Sequence, residues 1–415
     1  MKDYNLCLRQ KTGKLMVFVF EGNKAKPIHG ATVTITGNNQ SITLETNASG
    51  QTKSVELPAQ EPYSSYTVNV SANGYNSIKV DGVQVFPNTS GIQEIPMTIQ
   101  RGRNDRQHYT IPEHKLAQPE PIKPPIDPLA IPDPQPQSSS SRPDSPPIGL
   151  LIPEYIIVHC GAPKDYSAPK YLVKFTDYIT KVACGEIFSS WHSEALKANI
   201  LCITSYTLNK IFTQYYEGKF DITCLIQFDH KFDPLQTTFK EIIEVVDTIF
   251  NQYIKHPDPN KIQPFLAEYR AYPTSCRLGQ YKSQELAKQG YEHLAILKYF
   301  YEKQGCYSSI KIAHSPGVIF QGRPTPPPEQ ILKERTSGSD VREIQVYLNE
   351  IAKQYTQIPK MKVDGKFGSA TKNAVKEFQR IFIIPETGVV DLRTWYKMAN
   401  LYFSILKYKK LNGLT

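Results

Sequence analysis

Val363-Asp364-Gly365-Lys366-Phe367-Gly368, with Thr371 shortly after it, is the stretch that decides the fold of the C-terminal part of the chain. Its two glycines permit a tight loop, Asp364 can bond the loop amides, and Thr371 can begin a helix. Around this loop, apolar residues recur at helical spacing in three sets: Val341, Ile344, Leu348, Ile351 and Tyr355; Ala374, Val375, Phe378 and Ile381; Trp395, Met398, Tyr402 and Ile405. Asp391 can cap the third helix. The pattern predicts a C-terminal three-helix bundle.

The same part of the chain is basic. Residues 338–415 carry 13 basic and 7 acidic side chains, in a chain whose formal net charge is +9. Such a charge suits an anionic polymer such as nucleic acid, teichoic acid or peptidoglycan, and it is also compatible with a merely soluble surface. Because the module has no nucleic-acid-binding motif, we expect no nucleic-acid partner.

Four motifs in order give this module a family resemblance: Gly338-Ser-Asp-Val-Arg-Glu-Ile-Gln345, Val363 to Gly368, Ala374-Val-Lys-Glu-Phe-Gln379, and Gly388-Val-Val-Asp391 with Trp395. The series resembles the peptidoglycan-binding type 1 domain. The resemblance implies non-covalent attachment to cell-wall polymer without catalysis by the module itself. It places the binding groove at or near Asp364, Gly365, Phe367 and Gly368.

Proline clusters divide the chain into parts. Residues 102–149 hold twelve of the 32 prolines and the run Ser138 to Ser141, a composition that cannot form a packed core. A second proline cluster follows at 322–329. We therefore predict an N-terminal domain at 1–101, a linker at 102–149, a central domain at 150–321, a linker at 322–337 and the C-terminal module at 338–415. The first linker can be a passive spacer or a processing site.

The sequence of the N-terminal domain predicts an antiparallel β-sandwich. Short β-branched and aromatic runs, at 14–20, 31–36 and 66–70, are separated by turn signals such as Gly37-Asn38-Asn39. The stretch Pro27-Ile-His-Gly-Ala-Thr-Val33 and the Ser49-Gly50 turn resemble carboxypeptidase-regulatory-like domains. That resemblance implies only a binding or spacing role.

The central domain mixes helices and strands. Tyr155 to Val158 is a strand candidate, Ser193 begins a helix, and two further helices are predicted at 239–253 and 283–301. Within it, Glu186 lies in Val182-Ala-Cys-Gly-Glu-Ile-Phe188, at a helix end among small and apolar neighbours. A carboxyl group in apolar surroundings has a raised pKa and can protonate a glycosidic oxygen, although a Glu near a helix end is more often a solvated charge.

Residues from Glu186 to Tyr206, which include Trp191 and Glu194-Ala-Leu-Lys-Ala198, resemble the SpoIID family of peptidoglycan lytic transglycosylases. The stretch Gln280-Tyr-Lys-Ser-Gln-Glu-Leu-Ala287 resembles the Ser-Gln-Trp-Gly loop of that family. The resemblance covers about 150 residues and implies an α+β fold with Glu186 as catalytic acid and base. It implies a sugar cleft formed by Trp191, Tyr206, Gln280, Tyr281 and Ser283.

The chain departs from the family pattern at several positions. Tyr281 and Lys282 replace the Trp and Gly of the loop, and Thr204 replaces an Arg. Some members carry a zinc site of Cys and His, but Cys224 and His230 do not reproduce its spacing, and a closed zinc site needs four ligands. We predict no metal and no cofactor.

The order of parts resembles clostridial spore cortex-lytic enzymes of the SleC type. That resemblance implies a germination enzyme made as a zymogen, which a protease activates by cutting the linker before Ile152. Met1 to Phe20 shows no classical signal peptide, no apolar run is long enough to span a membrane, and we expect location at the spore or cell wall. The seven cysteines include no CxxC pair and predict reduced, buried thiols.

Two functions of different class remain. The first is a lytic transglycosylase, with muramidase activity as a variant, that cleaves the glycan strand of peptidoglycan through Glu186. The second is a non-catalytic wall-binding or phage-associated structural protein with a degenerate central domain, which the altered residues at 281 and 282 favour.

Overall fold

Two five-stranded β-sheets face each other in the N-terminal part of the chain, within the residues that the structure describes. The computed structural model describes residues 11–102, 105–117, 150–272, 275–303 and 306–414. The first sheet contains β1 (Thr12–Glu21), β2 (Lys26–Pro27), β5 (Val55–Pro58), β8 (Ser90–Pro96) and β13 (Thr238–Phe239). The second contains, in order, β4 (Gln40–Glu45), β3 (Thr32–Gly37), β6 (Ser64–Ser71), β7 (Ile78–Val85) and β9 (Gln107–Thr110). The sheets are mixed rather than antiparallel, since β1 pairs with β8 and β7 with β9 in parallel.

Strand β1 is buried on both faces. Leu15, Val17 and Val19 lie in the core between the two sheets, whereas Phe18 and Phe20 lie in a second core that extends into the rest of the chain. Alternate side chains of a strand point to opposite faces, so one strand supplies both cores. The first sheet is therefore an inner layer of the molecule.

The described residues of the central part form five helices and several small sheets. Its elements are β10 (Tyr155–His159), β11 (Lys170–Lys174), α1 (Phe175–Glu186), α2 (Ser193–Phe212), β12 (Ile222–Thr223), α3 (Lys240–Ile249), β14 (Gln252–Lys255), β15 (Tyr269–Arg270), β16 (Leu278–Gly279), α4 (Gln280–Lys288), α5 (His293–Tyr301), β17 (Lys311–His314), β18 (Val318–Phe320) and β19 (Arg323–Thr325). The sheets have the orders β11-β10-β12, β14-β17, β15-β16 and β18-β19. Strand β13 belongs to the central part by sequence but pairs with β8 of the first N-terminal sheet.

One helix prediction is confirmed at its start, and two are wrong in their bounds, because α3 ends at Ile249 instead of residue 253 and α4 begins at Gln280 instead of Ser283. Helix α2 begins at Ser193, as predicted, and His192 caps it by accepting the Glu194 amide. The single helix predicted at 283–301 is wrong, because Gly290 takes a φ of +88° and separates α4 from α5. None of the described helices combines the length and apolar character that a membrane span requires.

The C-terminal part contains α6 (Ser339–Ile351), α7 (Ser369–Ile381) and α8 (Leu392–Leu411). Asp391 caps α8 by accepting the Thr394 amide at 2.8 Å, as the sequence predicted. Gln345 Oε1 accepts the amides of Asp364 and Gly365 at 3.0 and 2.8 Å, and its Nε2 donates to the Lys366 carbonyl at 3.0 Å. One buried glutamine of α6 thus organises the loop that precedes α7.

The predicted domains share a core instead of lying apart on linkers. Phe250 stacks on Tyr396 at a ring distance of 4.1 Å, and Phe320 stacks on Phe403 at 4.8 Å. The N-terminal sheets contact the C-terminal helices directly, since Gln51 Nε2 donates to the Ile381 carbonyl at 2.8 Å. Apolar residues of all three parts form one continuous cluster. The parts therefore hold one another in place.

Two expectations from composition are corrected. Residues 105–117, placed in the linker, contain β9 and a packed segment, and residues 118–149 lie outside the described part. The prediction of reduced thiols is wrong for four cysteines, because Cys160 pairs with Cys224 and Cys276 with Cys306, over separations of 64 and 30 residues that local spacing cannot reveal. Cys184 and Cys202 are free and buried, and Cys7 is not described.

The N-terminal sheets should stay bound after the chain is cut between residues 118 and 149. The reason is that β8–β13 pairing and the shared core do not depend on the linker. A specific protease site placed in that segment should give two fragments that co-elute in native size-exclusion chromatography with reductant present. Phe20→Ala, which should cost about 3–5 kcal/mol of packing, should weaken their association. Separate elution of the wild-type fragments would contradict the shared core.

Candidate active site

Glu186 is the last residue of α1, and its side chain is fully buried. Its Oε1 accepts the backbone amide of Lys231 at 2.7 Å. Its Oε2 accepts the Tyr269 hydroxyl at 2.7 Å and the Lys115 ammonium group at 2.9 Å. Three donors from three distant segments therefore fix the orientation of this carboxylate.

The pKa of Glu186 differs from the sequence expectation. Burial raises the pKa of this carboxyl, but the Lys115 ammonium group, the Lys231 amide and the Tyr269 hydroxyl together outweigh burial and hold the pKa below its ordinary value. The expectation of a raised pKa is thus wrong for the chain in this state, because it considered the apolar neighbours and not the cation. Glu186 is ionised here and cannot donate a proton.

Three of the predicted cleft residues lie around Glu186. Gln280 is buried, and its Nε2 donates to the Glu186 carbonyl at 3.4 Å. The rings of Tyr281 and Trp191 are 5.8 Å apart, and Trp191 is 5.9 Å from Phe188. These residues come from the start of α4 and from the loop between α1 and α2. They bring a polar group and aromatic faces near the C-terminal end of α1, where Glu186 lies.

The other two predicted residues support the site without lining it. Ser283 is buried; its hydroxyl donates to the Gln280 carbonyl at 2.6 Å and accepts from Asn199 at 2.8 Å. The Tyr206 hydroxyl donates to Asp229 Oδ1 at 3.0 Å. His230 separates Tyr206 from Glu186, since its ring lies 4.8 Å from Tyr206 and 5.8 Å from Tyr269.

Residues 112–117, which we call the covering segment, lie over the site. The carbonyls of Pro112 and Glu113 accept the Lys231 ammonium group. The Leu116 carbonyl accepts the Tyr281 hydroxyl at 3.1 Å. Together with the Lys115–Glu186 ion pair, these contacts attach the covering segment to both sides of the carboxylate.

His114 anchors the covering segment as a neutral ring. It is fully buried and stacks on Phe188 at 4.6 Å with an interplanar angle of 16°. Its Nε2 donates to the Ile187 carbonyl at 3.3 Å, while its Nδ1 accepts the Leu116 amide at 3.2 Å. Burial and the positive charge of Lys231 lower the pKa of His114 to about 3.

Sequence reasoning missed Tyr269, Lys231, Lys115 and His114. Tyr269 lies in a two-residue strand and Lys231 acts through its backbone amide, so neither has a recognisable local motif. A signal did exist for Lys115 and His114, because residues 105–117 contain one proline whereas 118–149 contain eleven. The packed segment ends where the proline density rises.

The residues weighed as metal ligands have other partners. Cys224 is in a disulfide, and His230 Nδ1 is hydrogen bonded to the Tyr178 hydroxyl at 2.9 Å. Burial lowers the pKa of His230 to about 4, so the ring is neutral. Among the described residues, no cluster of three or more His, Cys, Asp or Glu side chains is arranged to hold a metal.

The predicted wall-binding loop is only partly accessible. Asp364 and Gly368 are exposed, whereas Phe367 is 1% exposed and belongs to the core. Gly365 is buried with a φ of +74°, and a Cβ atom there would lie 3.1 Å from the Gly338 carbonyl oxygen. Phe367 and Gly365 therefore shape the loop, and Asp364 and Gly368 present it to solvent.

Residues 337–398 match the sequence family described as "Putative peptidoglycan binding domain". This match supports association of the chain with peptidoglycan. The match lies within the C-terminal helical part and ends inside α8. It indicates association with the cell wall and with peptidoglycan as a partner.

The remaining comparisons give partial matches or none. A search of curated proteins found no match. Similar solved structures include the SleB N-terminal domain, at 32% identity over 18% of this chain and 93% of that one, with a TM-score of 0.16. Another is 5-hydroxyisourate hydrolase of Klebsiella pneumoniae, at 16% identity over 22% and 94%, with a TM-score of 0.17. A third is a type II cohesin-X-dockerin complex of Acetivibrio cellulolyticus, at 17% identity over 22% and 64%, with a TM-score of 0.16.

Docking of the covering segment should weaken as the pH falls below about 6.5. Undocked His114 takes up a proton near that pH, whereas docked His114 resists it down to about pH 3, so docking is complete above 6.5 and is lost progressively below it. The loss should approach about tenfold per pH unit. Hydrogen exchange of residues 112–117, corrected for intrinsic rates, measures it. His114→Phe keeps a ring without a titratable nitrogen, so it should make this dependence shallower and leave only the contribution of Glu186; an equally steep profile in that variant would contradict the role of His114.

Proposed function

We propose that the protein cleaves the glycan strand of peptidoglycan as a lytic transglycosylase, with Glu186 as general acid and then general base. The observation that carries the proposal is a fully buried carboxyl group, oriented by Tyr269 and the Lys231 amide, in a chain with a peptidoglycan-binding module. A solvated surface Glu would have no such set of donors.

The chemistry needs one carboxyl group that changes role. Protonated Glu186 gives its proton to the glycosidic oxygen as the bond from that oxygen to the sugar C1 breaks. The 6-hydroxyl of the same sugar then bonds to C1, and its proton returns to Glu186, so the product ends in an anhydro sugar and no water is consumed. A buried, pre-oriented carboxyl suits this sequence because the proton moves between neighbouring atoms without solvent reorganisation.

The aromatic side chains beside the carboxyl suit a sugar substrate. Phe188, Trp191 and Tyr281 form a wall whose rings are inclined to one another at 57° and 79°. Such faces bind the apolar surfaces of sugar rings, while polar groups such as Gln280 fix orientation. This arrangement supports a saccharide over a peptide at the reacting position.

The uncut chain is held inactive by the covering segment. Its residues fill the space over Glu186, and the Lys115 ammonium group keeps the carboxyl ionised. A protease cut between 118 and 149 frees the downstream end of this segment. When Lys115 leaves, burial acts on Glu186 against fewer opposing groups, so the pKa rises toward the value that an acid catalyst needs. Activation and pKa adjustment are then one event.

Glu186→Gln should abolish cleavage by the linker-cut protein, because an amide cannot donate the proton. The expected loss is about 10²–10⁴-fold in the rate of release of muropeptides from spore-cortex or cell-wall peptidoglycan. Mass spectrometry of the products measures it and should detect anhydro ends only with the unaltered protein. Glu217→Gln, an exposed carboxyl of the same domain that pairs with Lys219, is the matched control and should leave the rate unchanged.

Two outcomes would separate the alternatives. Release of reducing ends at a normal rate would indicate a muramidase instead of a transglycosylase. No release by cut or uncut protein, with sedimentation on peptidoglycan intact, would establish the non-catalytic wall-binding protein.

Lys115→Met should raise the activity of the uncut chain by at least about tenfold. The substitution keeps a long side chain but leaves Glu186 as an uncompensated buried charge, which typically costs about 3–5 kcal/mol and so weakens docking of the covering segment. Turbidity loss of cortex fragments with uncut protein gives the rate. Lys14→Met, an exposed lysine of β1, is the control; equal rates for both variants would contradict the inhibitory role of Lys115.

A further inference from the structure

The covering segment shows which chemical groups the candidate active site accepts, because it lies over that site. Its backbone gives carbonyl oxygens to two donors. The oxygens of Pro112 and Glu113 accept from the Lys231 ammonium group. The oxygen of Leu116 accepts from the Tyr281 hydroxyl at 3.1 Å. Both donors therefore hold neutral amide carbonyls in this state, and a ligand that replaces the segment has to satisfy the same donors.

The covering segment also places a flat, uncharged ring beside these carbonyls. His114 follows Glu113 directly, and its ring stacks on Phe188 with centroids 4.6 Å apart and an interplanar angle of 16°. Burial and the charge of Lys231 lower the pKa of His114, so the ring that lies on Phe188 is neutral. The segment thus combines a neutral ring on an aromatic face with an amide carbonyl, one residue away, that accepts from a lysine.

An N-acetylated sugar carries both of these features in a single unit. Its ring has an apolar face that packs on aromatic side chains, and its acetamido group supplies an amide carbonyl as acceptor. A wall peptide has carbonyls in every unit, but it presents a ring only where it has an aromatic or imidazole side chain. A chain of plain glucose units has the rings without the carbonyls. The combination favours an N-acetylated glycan over both.

Lys231 lies beside the carboxyl group at which the proposed reaction takes place. Its backbone amide donates to Glu186 Oε1 at 2.7 Å, so its side chain extends from a residue that orients the carboxylate. The acetamido nitrogen of an amino sugar is bonded to C2, the neighbour of the C1 atom at which the glycosidic bond breaks. A donor to the acetamido carbonyl of the reacting sugar must therefore lie close to the acid, as Lys231 does.

Lys231 and Phe188 are also within reach of a ligand. Both side chains are half-buried even while the covering segment lies on them. When the segment leaves, the Lys231 ammonium group loses the carbonyls of Pro112 and Glu113 as acceptors. The donor and the aromatic face then become accessible together.

We propose that Lys231 determines the specificity of the site for N-acetylated glycan. Its ammonium group donates to the acetamido carbonyl of the sugar held at Glu186, and the ring of that sugar lies against Phe188. The inference rests on the proposed function, because it takes Glu186 as the place of reaction. The covering segment is accordingly a substrate mimic, in which the Glu113 carbonyl and the His114 ring occupy the positions of the acetamido group and the sugar ring.

The test compares two neutral β-1,4-linked hexamers, one of N-acetylglucosamine and one of glucose, which differ in the acetamido group. The protein is the full chain cut between 118 and 149, with Glu186→Gln to prevent turnover. This substitution also removes the carboxylate that pairs with Lys115, so it weakens docking of the covering segment. Movement of the indole N–H resonance of Trp191, whose ring is 5.9 Å from Phe188, gives both affinities. The N-acetylated hexamer should bind about tenfold more tightly, the scale of one hydrogen bond to a charged group.

Lys231→Met should remove this preference, because it deletes the ammonium group and keeps the backbone amide that orients residue 186. The variant also holds the covering segment less tightly, but weaker competition by the segment raises both affinities equally and leaves their ratio unchanged. Lys231→Arg retains N–H donors and should keep the preference. Lys255→Met, an exposed lysine of β14, is the matched control and should keep it as well. A cooperative thermal unfolding transition in each variant separates lost binding from lost folding.

Three results would overturn the proposal: an equal preference with and without the Lys231 ammonium group, no preference in the protein that retains it, or Lys231-dependent binding of the wall stem peptide while neither hexamer binds. This inference and the proposed function fail separately. Cleavage of peptidoglycan by the protein that retains Glu186, without a Lys231-dependent preference, would refute this inference alone. The preference without any cleavage would refute the proposed function alone.

Discussion

The contact between Lys115 and Glu186 is the interaction on which the state of the site depends. A fully buried carboxylate is costly to ionise unless opposite charge and hydrogen bonds compensate it. Here the compensation comes from a cation on a separate segment, together with Tyr269 and the Lys231 amide. The charge of Glu186 and the position of the covering segment are consequently linked: each is stable only with the other.

The burial of β1 on both faces couples the N-terminal sheets to the rest of the fold. Phe18 and Phe20 bind the N-terminal sheets into the same core as α1 and α3, and β13 extends the first sheet with residues from the central part. The N-terminal domain therefore shares a core with the central part and is not a detachable module. Under the proposed function, a cut in the linker changes the covering segment much more than it changes the domain before it.

The sequence predicts what is local and misses what is long-range. The end of α1 at Glu186, the start of α2 and the Asp391 cap follow from patterns within a few residues. The Tyr269 hydroxyl is 83 residues from Glu186 in the chain, and Lys115 is 71 residues away, so no periodicity or spacing connects them. Composition also gave a wrong prediction for residues 105–117. The proline content was averaged over 102–149, and this average concealed a packed segment that contains a single proline.

Tyr281, which stands where the resembling family has Trp, has a second physical role in the structure. A tyrosine there supplies the hydroxyl that bonds the Leu116 carbonyl, so the residue that would contact sugar also holds the covering segment. That segment follows β9, which holds its upstream end. Under the proposed function, a cut in the linker leaves docking dependent on local contacts. Wall polymer that the C-terminal module holds at high local concentration would then compete for the same groups, because a tethered second site raises the effective concentration of the first. Cutting and wall binding would act on one equilibrium, that of the covering segment over Glu186.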